Sequence, residues 1–405
     1  MKRKIFNIVM VFALTMILAE AVSARQTEKQ NSESKNISKD IQKEVSEALK
    51  KVSIELKNID FEELGHAIAS AGRDISRELN RIEVHALPQP PEPEDYSGLA
   101  EKTKLISKTY AVDRNDKLSI DNLYGKVAVH TWTKNEIKIS IEIKAYESSE
   151  SSAAQLLESV NINESRNGDL ISYKTSFEKT SVNFWSKIRN GKEERRGVQV
   201  NYEIFMPAKN PLDITNRYGS TEIDDFIGPV NISSSYGSFS SGSLDNAANQ
   251  VKITYGSASI NRFSKGKLSV AYGSLKLDKA EDLTANIRYS SSRIAQLSGG
   301  GTFDIAYTGG FKIDEVERNV KNLVINSSYS GLTLGINQGA DFDFDVTVNY
   351  AGFNFDDERV NLINKVADSS KPRSWSPTKN YKGSIGKGSD SRIIIKSNYG
   401  SVKFL

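Results

Sequence analysis

The chain has 405 residues, with 54 Lys and Arg against 51 Asp and Glu, giving a formal charge of +3 at pH 7. It contains no cysteine, which excludes disulfides, thiolate nucleophiles, iron–sulfur clusters, cysteine-ligated zinc and a lipidated cysteine, and its three histidines leave little for an imidazole metal site or triad. A hydrophobic fraction of 38% together with 27 glycines points to a shallow, surface-rich fold rather than a thick enzyme core.

The first element is an export signal. Lys2, Arg3 and Lys4 form a positive start, residues 5–18 an apolar run, and Val22-Ser23-Ala24 a small-residue cleavage site, so processing is expected after Ala24. The apolar run is shorter than the roughly 18–20 residues of a spanning helix. Residues 25–36 are polar without periodicity and are expected to be a disordered leader. Over residues 37–87, apolar positions recur at three- and four-residue steps, from Ile37, Ile41 and Val45 through Ile68, Ile75 and Leu79 to Ile82, the pattern of an amphipathic helical segment. Its uses are self-association, packing on the following domain, a partner's groove or a membrane surface. The last is opposed by charge, because residues 25–95 hold 11 basic against 15 acidic side chains. Residues 88–98, opening with Pro88-Gln89-Pro90-Pro91-Glu92-Pro93, form a semi-rigid acidic linker and the clearest domain boundary.

Beyond the linker the apolar period changes from helical to two-residue alternation. Leu118 and Ile120, Val127 and Val129, and Ile137, Ile139, Ile141 and Ile143 mark strands with one buried face. A short helix is expected over residues 153–160, then strands over 170–177 and 198–205; residues 99–210 thus form a β-rich lead-in that contains a first coil. Between the last two strands, Phe184 and Trp185 precede a basic run, which suits either a strand-edge cover or a contact for an acidic glycan or lipid.

Residues 211–405 are dominated by a repeat. A tyrosine followed by a small residue occurs at Tyr218-Gly219, Tyr236-Gly237, Tyr255-Gly256, Tyr272-Gly273, Tyr289, Tyr307, Tyr329 and Tyr350, spaced by 18, 19, 17, 17, 18, 22 and 21 residues. Tyr124-Gly125 and Tyr399-Gly400 are outlying copies, so ten of the sixteen tyrosines hold one position. Leu268, Val270 and Tyr272 share one parity, and Leu275 and Leu277 share the other; the buried face therefore changes phase at Gly273-Ser274, where a corner is expected with glycine supplying positive φ or tight curvature. A unit of about 20 residues with two short strands buries no face alone, so copies must stack. The expected fold is mainly β: a single-stranded parallel β-solenoid of 17–22-residue coils, preceded by the helical segment. Equivalent tyrosines would form an aromatic ladder; their parity with Leu and Val favours a buried ladder over an exposed binding strip. The gap from Tyr350 to Tyr399 holds one coil plus a basic insertion at about 361–390, containing Pro372, Trp375 and Pro377 and expected to be a mobile loop, and the last coil ends the chain.

The phrases Tyr202-Glu-Ile-Phe-Met206-Pro207 and Leu212-Asp-Ile214-Thr-Asn-Arg-Tyr218-Gly219, the Gly-containing coils, and the closing Ile393-Ile-Ile-Lys-Ser-Asn-Tyr399-Gly400 resemble the "putative adhesin" family of exported bacterial β-helix proteins over about residues 105–405. The resemblance implies an envelope protein without catalytic residues, and relatives near sigma-factor and anti-sigma genes would suit an envelope-stress role. The helical N-terminal region, the missing lipobox cysteine and the tyrosine-heavy repeat depart from the family pattern.

Other chemistry is thin. His66, His85 and His130 have no ligand spacing. Asp341, Asp343 and Asp345 place three carboxylates on one strand face, near Asp356, Asp357 and Glu358, which suits a solvated charged face or an elongated cation site of a polysaccharide-cleaving enzyme. The glycines at 299–301 precede no helix start, and no serine has a nucleophile-elbow context. The sequence reading is therefore a non-enzymatic exported protein, with no cofactor, no metal and no catalytic residues. Its expected partner is a protein or glycan of the envelope or an external surface rather than nucleic acid, with self-association through residues 37–87 open; its expected place is the periplasm, outer membrane or cell surface. The alternatives are a β-helical enzyme acting on acidic polysaccharide and a structural component linked to envelope stress.

Overall fold

The structure, a computed structural model, describes residues 96–177, 186–189, 192–355, 358–367 and 377–405. The expected signal with Ala24, the leader, the helical segment with His66 and His85, most of the Pro-rich linker, and Phe184 and Trp185 lie outside these residues. Among the described residues there are 25 strands and one helix. The lead-in comprises β1 (Ala100–Ala111), β2 (Lys117–Leu123), β3 (Val127–Trp132), β4 (Glu136–Glu147), α1 (Glu150–Glu158), β5 (Val160–Asn167), β6 (Leu170–Phe177), β7 (Ser186–Arg189), β8 (Lys192–Arg195) and β9 (Gly197–Pro207). The repeats follow as β10 (Leu212–Arg217), β11 (Thr221–Ile223), β12 (Val230–Ser235), β13 (Phe239–Asp245), β14 (Gln250–Thr254), β15 (Ser257–Ser264) and β16 (Lys267–Ala306). Then come β17 (Phe311–Val316), β18 (Asn322–Ser328), β19 (Leu332–Ile336), β20 (Phe342–Asn349), β21 (Phe353–Phe355), β22 (Val360–Ala367), β23 (Thr378–Ile385), β24 (Arg392–Asn398) and β25 (Val402–Phe404).

The protein is mainly β, and 23 strands belong to one mixed sheet. Its central part is parallel and in register from one repeat to the next. Leu212 faces Leu118 on one side and Val230 on the other, Val251 faces Ile232 and Leu268, and the second strand of each unit pairs likewise, Thr221 with Val127 and Phe239. Each unit gives two strands separated by the tyrosine corner, and β16 runs unbroken through the corners at Tyr272 and Tyr289. Alternate side chains from both rows of strands enter one core, including Ile214, Ile232, Ile253, Phe239, Phe263, Val270 and Leu277, all at most 2% exposed. Each such burial is worth roughly 1.5–3 kcal/mol, which explains how two narrow inward files suffice for a chain poor in hydrophobic residues.

Three expectations are corrected. The sheet is not parallel throughout: β1–β4, β4–β9 and β5–β6 are antiparallel at one end, and β20–β23 and β22–β23 at the other. The short turn Asn167-Gly168-Asp169, with Gly168 at φ +57°, returns the chain beside itself and makes β5–β6 antiparallel, whereas the parallel pairs are joined by the long wrap of a full repeat. Secondly, the described part of the insertion is not a loop but the β22–β23 hairpin, which covers the free edge of β20 and buries Tyr381 and Ile385. Thirdly, the last repeat in sequence is not the last in space. β24 lies between β18 and β20, and β25 between β19 and β21, so the C-terminal strands separate two repeats that are consecutive in sequence.

The lead-in closes the other end of the core. Ser149 caps α1 by accepting a hydrogen bond from the Ser152 amide at 3.3 Å, and α1 buries Ala153 and Leu156. Where the lead-in meets the first repeat the core turns polar but stays bonded. Asn122 donates to the Val200 carbonyl (3.0 Å) and to Asn216 (3.3 Å), Asn216 donates to the Gly125 and Ser220 carbonyls (3.1 and 2.9 Å), and Thr175 links Asn122 to the Tyr202 hydroxyl (2.9 and 3.0 Å). Among the described residues no helix is long and apolar enough to cross a membrane.

Candidate functional site: a tyrosine edge

The corner that joins the two strands of each unit is built by the tyrosine itself. All ten repeat tyrosines are in the left-handed region, with φ between 50° and 63°, whereas none of the glycines that follow them has a positive φ. The expectation that glycine supplies positive φ is therefore corrected. Such a backbone costs a non-glycine residue about 1–2 kcal/mol. It also turns the side chain away from the face occupied by the preceding Leu or Val. Strand parity consequently fails at this residue: Tyr272, Tyr289, Tyr307, Tyr329, Tyr350 and Tyr399 are 38–49% exposed, where parity favoured burial.

What returns that cost is stacking. The rings follow one another in the order Tyr124, Tyr218, Tyr236, Tyr255, Tyr272, Tyr289, Tyr307, Tyr329, Tyr399 and Tyr350, with centroids 4.8–5.2 Å apart. Beyond the first pair, tilted by 24°, the interplanar angles are 2–12°. This spacing is the separation of neighbouring strands, so the sheet sets the pitch of the ladder. Each stacked pair contributes about 0.5–1.5 kcal/mol beyond burial. Phe177 packs on Tyr124 at 5.6 Å and covers the first ring; it lies outside the repeat, on the lead-in strand β6, so no periodic signal marks it.

The glycine after the tyrosine is demanded by close approach. A Cβ on Gly219, Gly237, Gly256 or Gly273 would stand 1.8–2.1 Å from the carbonyl oxygen of the equivalent glycine one unit back, and one on Gly125 or Gly400 would meet the Val200 or Ser330 carbonyl at 2.2 and 2.0 Å. Where serine stands instead, its hydroxyl serves the same junction. Gly273 N–H donates to Ser290 Oγ (3.2 Å) and Thr308 N–H to Ser330 Oγ (2.9 Å), while these hydroxyls donate to the Arg288 and Ser328 carbonyls (2.7 and 3.0 Å). The substitution of Gly by Ser within the repeat was the visible signal for this bond.

Chemically, the ladder presents ring edges and phenol hydroxyls. The ring faces are occupied by neighbouring rings, so the platform for a flat sugar ring imagined in an exposed strip is closed along the row. Burial raises the Tyr124 and Tyr329 phenols above their ordinary range, and the adjacent phenols, Tyr218 for the first and Tyr399 and Tyr307 for the second, raise them further. Both of these phenols are accordingly neutral at physiological pH.

The other candidates are dispersed. His130 lies with Nδ1 3.4 Å from Asp224 Oδ2 and its ring beside Phe205, away from the tyrosines. The Asp341, Asp343 and Asp345 carboxylates have separate surroundings. Asp341 Oδ1 accepts from the Lys387 amide at 2.9 Å, Asp343 Oδ1 lies against Gly388, and Asp345 pairs with Lys382 (3.1 Å) and Asn380 (2.6 Å). Among the described residues no group of three or more His, Asp or Glu is placed to hold a metal ion.

No family model matches the chain, and no curated protein does. Three solved structures are similar over three quarters of it. A "putative cell adhesion protein" from Clostridium sporogenes is 10% identical and covers 75% of this chain and 99% of its own, with a TM-score of 0.20. A "putative adhesin" from Bacteroides fragilis is 11% identical, covering 75% and 97%, with a TM-score of 0.29. A "putative lipid binding protein" from Parabacteroides distasonis is 7% identical, covering 74% and 96%, with a TM-score of 0.29. Likeness at this level carries no function across.

Proposed function

We propose that this chain is an exported, non-enzymatic envelope protein whose parallel repeats form a β-solenoid, and whose tyrosine edge meets an extended glycan or protein partner. The observation that carries the reading is the ladder: ten stacked rings in one file, six of them more than a third exposed. Tyrosine is an effective interface residue because it offers apolar area and a hydroxyl at small entropic cost, and stacking has already removed much of the ring's freedom. A row of hydroxyls repeating every 5 Å favours a partner that is itself a chain with repeated polar groups. The export signal ending at Ala24 supports a place in the envelope or outside it. The engagement of Asp341 and Asp345 by different partners removes the motive for the polysaccharide-cleaving alternative.

The test is binding of residues 25–405 to bacterial and host surfaces and to glycan and peptide arrays, beside a variant with Tyr255, Tyr272, Tyr289 and Tyr307 changed to Asn. Asparagine tolerates the left-handed backbone, so the variant removes rings rather than corners. A tenfold or greater loss of affinity, about 1.4 kcal/mol, is expected with the fold retained. Equal binding by the variant, or no binding by the parent to any surface, overturns the reading.

A further inference from the structure

The C-terminal strands β24 and β25 occupy a slot between two repeats. β18–β19 and β20–β21 are neighbours in sequence, joined only by residues 337–341, yet they do not touch along their strands: residues 392–404 fill the space between them. Seven residues of β24 pair in register with each side, Arg392 with Asn322 and Asp343 at one end and Asn398 with Ser328 and Asn349 at the other. β25 adds three more pairs on each side. Ile393, Ile395, Val402 and Phe404 are fully buried, and Tyr399 stacks between Tyr329 and Tyr350 at 4.8 and 5.0 Å.

Three of the four wall strands are also paired on their outer side, β18 with β16, β19 with β17 and β20 with β23, whereas β21 pairs only with β25 of the occupant. The Arg359 guanidinium donates to the carbonyls of Gln338, Ala340 and Asn337, fixing the loop that spans the gap. The inserted segment, by contrast, is tethered through residues 386–391, which contain Gly386 and Gly388 at φ +67° and +73°, and through short contacts to Asp341 from the Lys387 amide and the Ser389 hydroxyl (2.9 and 2.6 Å). Without this segment, β18–β19 and β20–β21 present unpaired parallel edges to each other, the arrangement that recruits an extended strand.

We propose that residues 391–405 are an exchangeable donor strand, and that the slot between β18–β19 and β20–β21 accepts this segment from a second copy of the chain as well as from its own. Each wall reads the same register and the same inward Ile, Val and Phe whichever chain supplies them, and the glycine-containing tether is the hinge that a strand exchange requires.

The absence of cysteine gives a clean test on the full chain. Ser328 and Asn398 are direct neighbours in the parallel ladder. Their separation, about 4.8 Å, is within the range a disulfide bridges. A Ser328→Cys, Asn398→Cys double variant therefore closes within one chain and serves as the folding control. Differently tagged Ser328→Cys and Asn398→Cys single variants are then unfolded together, refolded under mild oxidation, and in a second arm co-expressed. Exchange yields the mixed-tag disulfide dimer in both arms, rising roughly in proportion to chain concentration. A Ser274→Cys copy in place of Ser328→Cys yields none. Closure of the double variant without any mixed-tag dimer, or equal dimer from the Ser274→Cys copy, overturns the proposal.

Discussion

The two halves of the tyrosine ladder solve one problem with different residues. From Tyr218 to Tyr272 each tyrosine is followed by glycine, and successive backbones approach so closely that no Cβ fits. At Tyr289, Tyr307 and Tyr329 the following residue is Ser290, Thr308 or Ser330, and the two serine hydroxyls accept backbone N–H bonds across the junction. Ring spacing is nevertheless the same, 4.8–5.0 Å, in both halves. Strand pairing therefore fixes the pitch, and the residue after the tyrosine only has to be compatible with it.

Gly273→Ala separates the two halves most strongly. A methyl group 1.8 Å from the Gly256 carbonyl forces the backbones apart, and a loss of about 3 kcal/mol or more is expected in urea unfolding. Alkaline titration has a similar scale and contrasts the edge with the lead-in. Burial pushes the Tyr202 phenol up to about 12, with the hydrogen bond to Thr175 opposing it and the charge of Asp121 adding to it. Its contribution is fully present below the unfolded phenol value near 10 and is lost as pH rises toward 12, a fall of about 3 kcal/mol readable from denaturation midpoints.

Tyr272→Ala removes two stacked contacts but retains the left-handed corner, so a loss of about 1–3 kcal/mol is expected. Tyr272→Gly relieves the corner as well and should be milder; equal losses would show that the rings do not compensate backbone strain. Ser290→Ala deletes one hydroxyl junction for about 1 kcal/mol, visible as a shift in Tm. Gly309→Ala completes the series, because nothing lies within 4 Å of the added methyl group and φ is not positive there; its effect should stay within about 0.5 kcal/mol.

Much of this arrangement was legible in the sequence. Periodic Leu, Val and Ile positions located the parallel strands, and the recurring tyrosine located the corners. The left-handed tyrosine was not legible, because parity carries a side chain to one face only while the backbone remains extended, and Tyr272 is where it stops being so. β1 was missed because both of its faces are largely exposed, with Leu105 75% exposed, which erases alternation. β23 was hidden by Gly383, which fills the inward position between Tyr381 and Ile385 without an apolar side chain. The insertion of β24 had no local sign, since its phrase matches its neighbours and so fits any place in the stack. Of the site itself, residue identities were evident, whereas exposure and closed ring faces required coordinates.

The central claim is a ladder both stacked and open to solvent along its edge, and tyrosine iodination followed by peptide mapping tests it most directly. The account predicts ready modification of Tyr272, Tyr289, Tyr307 and Tyr329, and protection of Tyr173 and Tyr202, which are 1% exposed. Protection of the repeat tyrosines to the same degree as Tyr202 would contradict it.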